Sequence, residues 1–314
     1  MNNTLNKVIQ EIQKAIVGKQ EVVEKMLMAI LAGGHILLDD VPGVGKTTMA
    51  IAFGKALGLQ YQRVQFTPDV LPSDIVGFSY YNKLSGQFEY MPGVVTRANL
   101  LLGDEINRTS SKTQSALLEA MEERQVTVDG HTYPLLDPFT VIATQNHVGT
   151  AGTQLLPYAQ LDRFLVRLTI GYPSPESQMA MIRDRQQKDP LDSVQQACDA
   201  VGVRKMQEQT QKVHLDEHLI RYITDLAETS RQHPMLALGI SPRGALSLSR
   251  MAKACAYLRG RDYVIPEDIR DVFADVCTHR LILNQKAKIE NATDREILDQ
   301  ILKETRVPDG QGAE

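Results

Sequence analysis

Cysteine is scarce in this chain of 314 residues: Cys198, Cys255 and Cys277 are odd in number and nowhere spaced CxxC. That pattern supplies neither a disulfide frame nor a cysteine zinc site, and it fits reduced thiols in the cytoplasm. Aromatic residues make up only 5%, and positive charge is not in excess. Lys plus Arg is 34 against 38 for Asp plus Glu, a net charge of −4. Both scarcities argue against a phosphate backbone as the general partner. No stretch reaches the roughly 18 apolar residues that a membrane span needs, and the opening MNNTLNKVIQEIQKAIVGKQ has no apolar leader segment. The expectation is a soluble, cytoplasmic protein without membrane insertion. Internal repeats and low-complexity tracts are also missing. What is present is ordinary: 43% hydrophobic and 23% charged residues, the balance of a globular chain with one large or two ordinary domains.

Leu5, Val8, Ile9, Ile12 and Ile16, then Val22, Val23, Met26, Leu27 and Ile30, recur at helical spacing, and Gly18 divides them into two helices. Short apolar runs at about 35–38, 61–66, 99–102, 139–144 and 164–170 predict strands, with helices at about 47–57 and 112–123 between some of them. Near-continuous apolar strands alternating with helices predict an α/β fold around a buried parallel sheet. SGQFEYMPGVV (85–95) and RQVTVDGHTYP (124–134) predict β-hairpin insertions, the second turning at Asp129-Gly130. From Glu176 to about Thr305 the pattern is helical. The expected organisation is an α/β core over 1–172, a smaller all-α lid over 173–306 and a frayed tail over 307–314.

The strongest chemical signal is Gly43-Val44-Gly45-Lys46-Thr47, which follows the first strand and opens a helix. Small residues let successive backbone N–H groups face phosphate oxygens, and the helix N-terminus adds positive potential. Lys46 then reaches the β- and γ-phosphates, and the Thr47 hydroxyl suits Mg²⁺. The P-loop pattern GxxxxGK[ST] has glycine where this chain has Asp40; aspartate accepts tight turns if its carboxylate points away. The run Leu100-Leu101-Leu102-Gly103-Asp104-Glu105 brings two carboxylates to the sheet edge where α/β folds bind ligands. Asp104 would hold Mg²⁺ through water, and Glu105 would activate the attacking water. Asn146 closes the next strand with an amide suited to the γ-phosphate or the water, although asparagine there is also a common turn former. Arg163, in Leu161-Asp162-Arg163-Phe164, either supplies charge to phosphoryl transfer or pairs with Asp162. Ser241-Pro242-Arg243 begins a helix, with a capping serine and proline at the first position. Arg243 on that first turn either reaches a phosphate or stays a solvated arginine. His214-Leu215-Asp216-Glu217-His218 fits the HxxEH zinc pattern. Leu219, Ile220, Tyr222, Ile223 and Leu226 explain it instead as the start of an amphipathic helix capped by Asp216.

Taken together, these segments resemble the MoxR family of AAA+ ATPases over about 16–302. The likeness is carried by Asp40-Val41-Pro42-Gly43-Val44-Gly45-Lys46-Thr47, Val64-Gln65-Phe66-Thr67-Pro68-Asp69, Asp104-Glu105-Ile106-Asn107-Arg108, Lys112-Thr113-Gln114-Ser115-Ala116-Leu117-Leu118-Glu119-Ala120-Met121 and Ala159-Gln160-Leu161-Asp162-Arg163-Phe164. An acidic residue at position 40 is usual in that family. The resemblance implies that Pro42, Gly43, Val44, Gly45, Lys46, Thr47 and Thr48 hold ATP or ADP, with Val17 and Gly18 against the adenine. It implies Mg²⁺ at Thr47 and Asp104, Glu105 as the catalytic carboxylate, Asn146 as sensor 1, Arg163 as arginine finger and Arg243 as sensor 2. The hairpins correspond to the helix-2 and pre-sensor-1 insertions. The expected site is closed over by Arg243 of its own chain and completed by Arg163 of a neighbour, in a nucleotide-dependent ring that is a hexamer by resemblance. The expected work is chaperone-like remodelling or maturation of client proteins, with a partner carrying a von Willebrand factor A domain. The chain departs from the family in having His147 for a proline, Tyr158 for a glutamate and Ser110-Ser111 where proline is frequent. Two other classes stand beside this one: a nucleic-acid motor related to replicative helicases, and a scaffold that binds nucleotide with little turnover. The acidic balance weighs against the first, the pair Glu105 and Arg163 against the second. A magnesium-chelatase-like subunit is a near relative that only the partner would separate.

Overall fold

The computed structural model describes residues 3–145, 156–184 and 189–308. Helices α1 (Asn3–Ala15) and α2 (Gln20–Leu31) come first, burying Leu5, Val8, Ile9 and Ile12 of one and Val23, Met26 and Leu27 of the other. Between them Gly18 has φ +71°, a left-handed conformation that side chains resist. A Cβ there would also meet Ser177 Oγ at 2.2 Å.

The α/β part runs β1 (Ile36–Asp39), α3 (Lys46–Ala56), β2 (Tyr61–Gln65), α4 (Pro72–Val76), β3 (Gly77–Asn82), β4 (Gln87–Pro92), β5 (Leu100–Asp104), α5 (Ser111–Glu123), β6 (Gln125–Val128), β7 (His131–Pro134), β8 (Thr140–Gln145), α6 (Tyr158–Leu161) and β9 (Val166–Leu168). Five strands form one sheet in the order β2-β5-β8-β1-β9, every neighbouring pair parallel. β1, β5 and β8 are buried along their whole length, which is why they are apolar through most of each run, with polar residues at their ends. Leu38, Leu100, Leu102 and Ile142 pack with α1, α2 and α3, while Leu37, Leu101, Val141 and Ala143 pack with α5. That alternation follows from the two-residue period of a strand. Because all five strands run one way, Asp40, Asp104 and Gln145 emerge at one edge of the sheet. His35 and Leu165 meet at the other, where the Leu165 N–H donates to His35 O at 2.8 Å.

The first hairpin is β3–β4, two strands paired from Gly77↔Pro92 to Asn82↔Gln87, and not the span 85–95 expected from sequence. Its first strand escaped notice because Phe78, Tyr80 and Tyr81 are all exposed, so no alternation of polar and apolar residues marks it. The second hairpin, β6–β7, turns at Asp129 (φ +49°) and Gly130 (φ +78°), the left-handed pair that a type I′ turn requires. Ser110 caps α5 by accepting from the Thr113 N–H at 3.3 Å.

The rest is helical: α7 (Pro175–Asp184), α8 (Ala200–Gln211), α9 (Glu217–Gln232), α10 (Pro242–Leu258), α11 (Pro266–Cys277), α12 (Gln285–Ile289) and α13 (Asp294–Glu304). A small antiparallel ribbon of β10 (Leu236–Leu238) and β11 (Ile282–Leu283) ties the segments before α10 and α12 together. Strands this short carry no readable period. Asp216 caps α9 through the His218 N–H at 2.9 Å, and Leu219, Tyr222, Ile223 and Leu226 are buried, so a helix start accounts for the HxxEH segment. Among the described residues no helix is long and apolar enough to cross a membrane.

Candidate nucleotide site

β1 ends at the sheet edge and the chain turns through Asp40–Gly45 into α3. Gly43 (φ +85°) and Gly45 (φ +93°) adopt left-handed backbone, and nothing lies within 4 Å of where a Cβ would sit on either. The glycines therefore line an open hollow at a helix N-terminus, suited to an anion. Val44 turns inward onto the core, while Pro42 is exposed and Thr47 and Thr48 are half-buried. Lys46 is buried, and its Nζ donates to Asp40 O at 2.9 Å. Burial pushes its pKa below the usual lysine value, and the nearby carboxylates of Asp40, Asp104, Asp39 and Glu105 act against that.

Asp40 turns its carboxylate away from the hollow, as a substitute for glycine must. Oδ2 accepts from the N–H groups of Ile170 (2.6 Å) and Gly171 (2.7 Å), and Oδ1 from Val41 (2.8 Å). The loop is thereby tied to the end of β9. Lys19 Nζ donates to Tyr172 O at 2.8 Å, which brings the Val17-Gly18 segment against the same stretch of chain.

The two carboxylates of β5 sit in a polar network that the sequence did not foretell. Thr144 Oγ1 donates to Asp104 Oδ1 at 3.0 Å and accepts from the Glu105 N–H at 2.9 Å. Arg63, on β2, donates to Asp104 Oδ2 through Nε (3.0 Å) and Nη2 (2.7 Å). Glu105 Oε2 accepts from Gln65 Nε2 (3.1 Å) and Arg108 Nη1 (2.8 Å). Glu105 itself has φ +56°, a conformation that costs about 1 kcal/mol or more outside glycine and gathers at functional sites. Asn146 and His147 lie outside the described residues; β8 is described to Gln145, at this same edge.

Arg163 and Arg243 are elsewhere. Both line a cavity of about 280 Å³ with Gly34, His35 and Glu122, at the edge where β1 begins. Arg243 Nη2 donates to Glu122 Oε1 at 2.9 Å, near the end of α5. The expected closure of Arg243 over its own Lys46 is therefore corrected: the length of β1, about 13 Å for four residues at about 3.3 Å each, lies between them. The cause is Asp162. Its carboxylate accepts from Ser241 Oγ, the cap of α10, at 3.1 Å and from Arg280 Nε at 2.8 Å. Arg280 is buried and also donates to Phe164 O at 2.7 Å, fixing the start of α10 beside the segment that carries Arg163. Sequence reasoning recognised the capped helix but had no signal for the edge it faces.

Residues 35–166 match the ATPase family associated with various cellular activities (AAA), and residues 228–301 match an AAA lid domain. The Mycobacterium tuberculosis protein named Chaperone MoxR1 is 38% identical over 98% of this chain and 83% of its own length. The chain belongs to the MoxR family of AAA+ ATPases. It is an ATP hydrolase with the AAA+ α/β core and helical lid of that family. Another similar protein, the uncharacterized YeaC of Bacillus subtilis, is 46% identical over 97% of this chain and 95% of its own. A crystal structure of a Cytophaga hutchinsonii protein assigned as an ATPase superposes with a TM-score of 0.91 at 40% identity, covering 98% of this chain and 96% of that one.

Proposed function

We propose that this MoxR-type ATPase binds ATP with Mg²⁺ at the Gly43–Gly45 hollow and turns it over only where a second copy completes the site. The residues fit both groups: a hollow with free space above two glycines, a buried lysine at its rim and two carboxylates at the end of β5, with β8 between. Pro42, Gly43, Val44, Gly45, Lys46, Thr47 and Thr48 bind the phosphates, and Val17 and Gly18 flank the adenine. Thr47 and Asp104 would hold the metal, which would supply positive charge to offset that of the phosphates. Lys46 gives up its bond to Asp40 O and donates to phosphate. Glu105 orients the attacking water and takes its proton, and Asn146 is the sensor 1 residue by family resemblance. Arg163 and Arg243 act on the neighbour's nucleotide, both in trans.

The observation that carries this reading is the sharing of one cavity by Arg163 and Arg243 at the sheet edge opposite Lys46. Neither arginine is of use to its own phosphates, whereas a ring of copies sets one edge against the next. The ring is a hexamer on family resemblance. Hydrolysis then changes the angle between an α/β core (1–172) and a helical lid (173–306, before a tail at 307–314), moving the hairpins against a client in the cytoplasm. A partner with a von Willebrand factor A domain belongs to the same reading.

Mixing two inactive chains tests it. Lys46→Ala lacks phosphate binding, and the double variant Arg163→Ala/Arg243→Ala lacks both arginines. If both act in trans, mixed rings regain turnover, because the intact P-loop of one chain meets the intact arginines of the other. Turnover per chain of the wild type should also climb with protein concentration. No recovery on mixing, with the single variant Arg163→Ala rescued alone, would return Arg243 to its own subunit.

A further inference from the structure

Asp104 already has a cation, and it comes from the chain itself. Of its two carboxylate oxygens, Oδ1 is engaged by Thr144 within the sheet edge. Oδ2 accepts two hydrogen bonds, from Arg63 Nε and Nη2, and so has no lone pair left for a further donor. The Asp104 side chain is only 10% exposed, and the Arg63 side chain 47%. A carboxylate this buried is costly without a counter-charge, and in the nucleotide-free chain Arg63 provides one. The Lys46 ammonium, bonded to Asp40 O, adds its charge nearby.

We propose that Arg63 competes with Mg²⁺ for Asp104, so that the strength of this ion pair sets the Mg²⁺ concentration at which nucleotide is held. The inference rests on the reading of this site as one for ATP and Mg²⁺. Its geometry is specific. A hydrated cation at Asp104 finds one acceptor site left on Oδ1 and both of those on Oδ2 held by Arg63, so it shares the carboxylate's charge with the guanidinium and takes Oδ2 only where Arg63 releases a bond. Release is open to Arg63 because β2 is the edge strand of the sheet and its guanidinium already borders solvent. The Asp104 carboxylate has no such freedom, since Thr144 fixes it. Arg63 would thus loosen its hold on the carboxylate as a cation is taken up, while Thr144 keeps the carboxylate in place.

The test reads binding, not turnover. A fluorescent ATP analogue is titrated with Mg²⁺ in the wild type, Arg63→Gln and Arg63→Lys. Half-saturating Mg²⁺ should fall roughly three- to tenfold in Arg63→Gln. Arg63→Lys should lie between, because one ammonium replaces a two-nitrogen fork. Without nucleotide, Arg63→Gln should lower the unfolding midpoint in the wild-type background and leave it unchanged in Asp104→Asn, since the pair is then already lost. An unchanged or higher Mg²⁺ requirement in folded Arg63→Gln overturns the competition and makes Arg63 a permanent partner of the metal site. Absence of coupling with Asp104→Asn overturns the pair itself. Failure of the wild type to bind nucleotide at any Mg²⁺ concentration would sink the ATP reading and this inference with it; normal wild-type binding with unaltered variants would sink the inference alone.

Discussion

Replacing Asp40 by glycine would restore the general P-loop pattern, and the structure predicts that the chain is worse for it. Three backbone N–H groups converge on this carboxylate, those of Val41, Ile170 and Gly171. The Val41 and Gly171 groups are half-buried and can turn partly to water, while Ile170 is buried. A buried donor stripped of its acceptor costs about 1–3 kcal/mol. Counting Ile170 in full and the other two in part gives about 2–4 kcal/mol. Glycine adds about 0.5–1 kcal/mol through the freedom it gains on unfolding. At roughly 2–4 °C per kcal/mol for chains somewhat shorter than this one, the nucleotide-free midpoint should drop by roughly 5–15 °C. Asp40→Asn keeps one acceptor oxygen and should lose about half as much. Nucleotide affinity should fall as well, because the loop is no longer tied to the end of β9. Thermal unfolding of nucleotide-free protein and titration with a fluorescent ATP analogue read the two effects. An Asp40→Gly chain within about 0.5 kcal/mol of wild type, or one that binds nucleotide more tightly, would refute the reasoning.

Two further outcomes follow from buried titratable groups. Burial holds the pKa of His35 and His279 well below the ordinary value of 6.5, so both stay neutral in the fold while the unfolded chain takes up protons below about pH 6.5. Stability should therefore be level above that pH and decline below it by about 1.4 kcal/mol per pH unit for each histidine, until the lowered folded values are reached. Urea unfolding between pH 7.5 and 5 measures the slope, which His35→Gln should roughly halve; a level profile through pH 5.5 would contradict the burial argument. Burial likewise pushes the thiols of Cys255 and Cys277 up to about 12, whereas Cys198 is only half-buried. A thiol-reactive disulfide reagent should label one cysteine quickly in the native chain and all three in denaturant.

How much of this was legible depended on whether the deciding contact was local. β1, β5 and β8 could be read because burial on both faces selects apolar residues through most of each run, and the phosphate loop because open left-handed turns select glycine. Asp129-Gly130 announced its hairpin for the same reason. β3 did not, since Phe78, Tyr80 and Tyr81 leave both faces apolar and exposed. Arg63 carries no signal in the sequence. Its meaning comes from the register of β2 on β5, which pairs Arg63 with Leu102 and Gln65 with Asp104. That register joins segments about forty residues apart, and no local pattern reports it. Thr144 was passed over beside Asn146, although it is the hydroxyl that links Asp104 to the Glu105 N–H.

Arg243 is the most instructive case, because its helix was read correctly and its location was not. Ser241 caps α10 through the Gly244 N–H at 3.0 Å, as the Ser-Pro-Arg start implies. The same hydroxyl also donates to Asp162, 79 residues earlier, and that second bond decides which edge of the sheet the helix starts from. Arg280, 118 residues beyond Asp162, reinforces it from inside the core. Asp162 therefore holds the residue next to it, Arg163, and the first turn that carries Arg243 in one bonded unit. Within the proposed ring, any rotation of the lid that moves α10 has to move both arginines together or break the bonds to Asp162. In that proposed ring, two cations mounted on one bonded unit would respond to a neighbour's phosphate together, which two independently mounted arginines would not do.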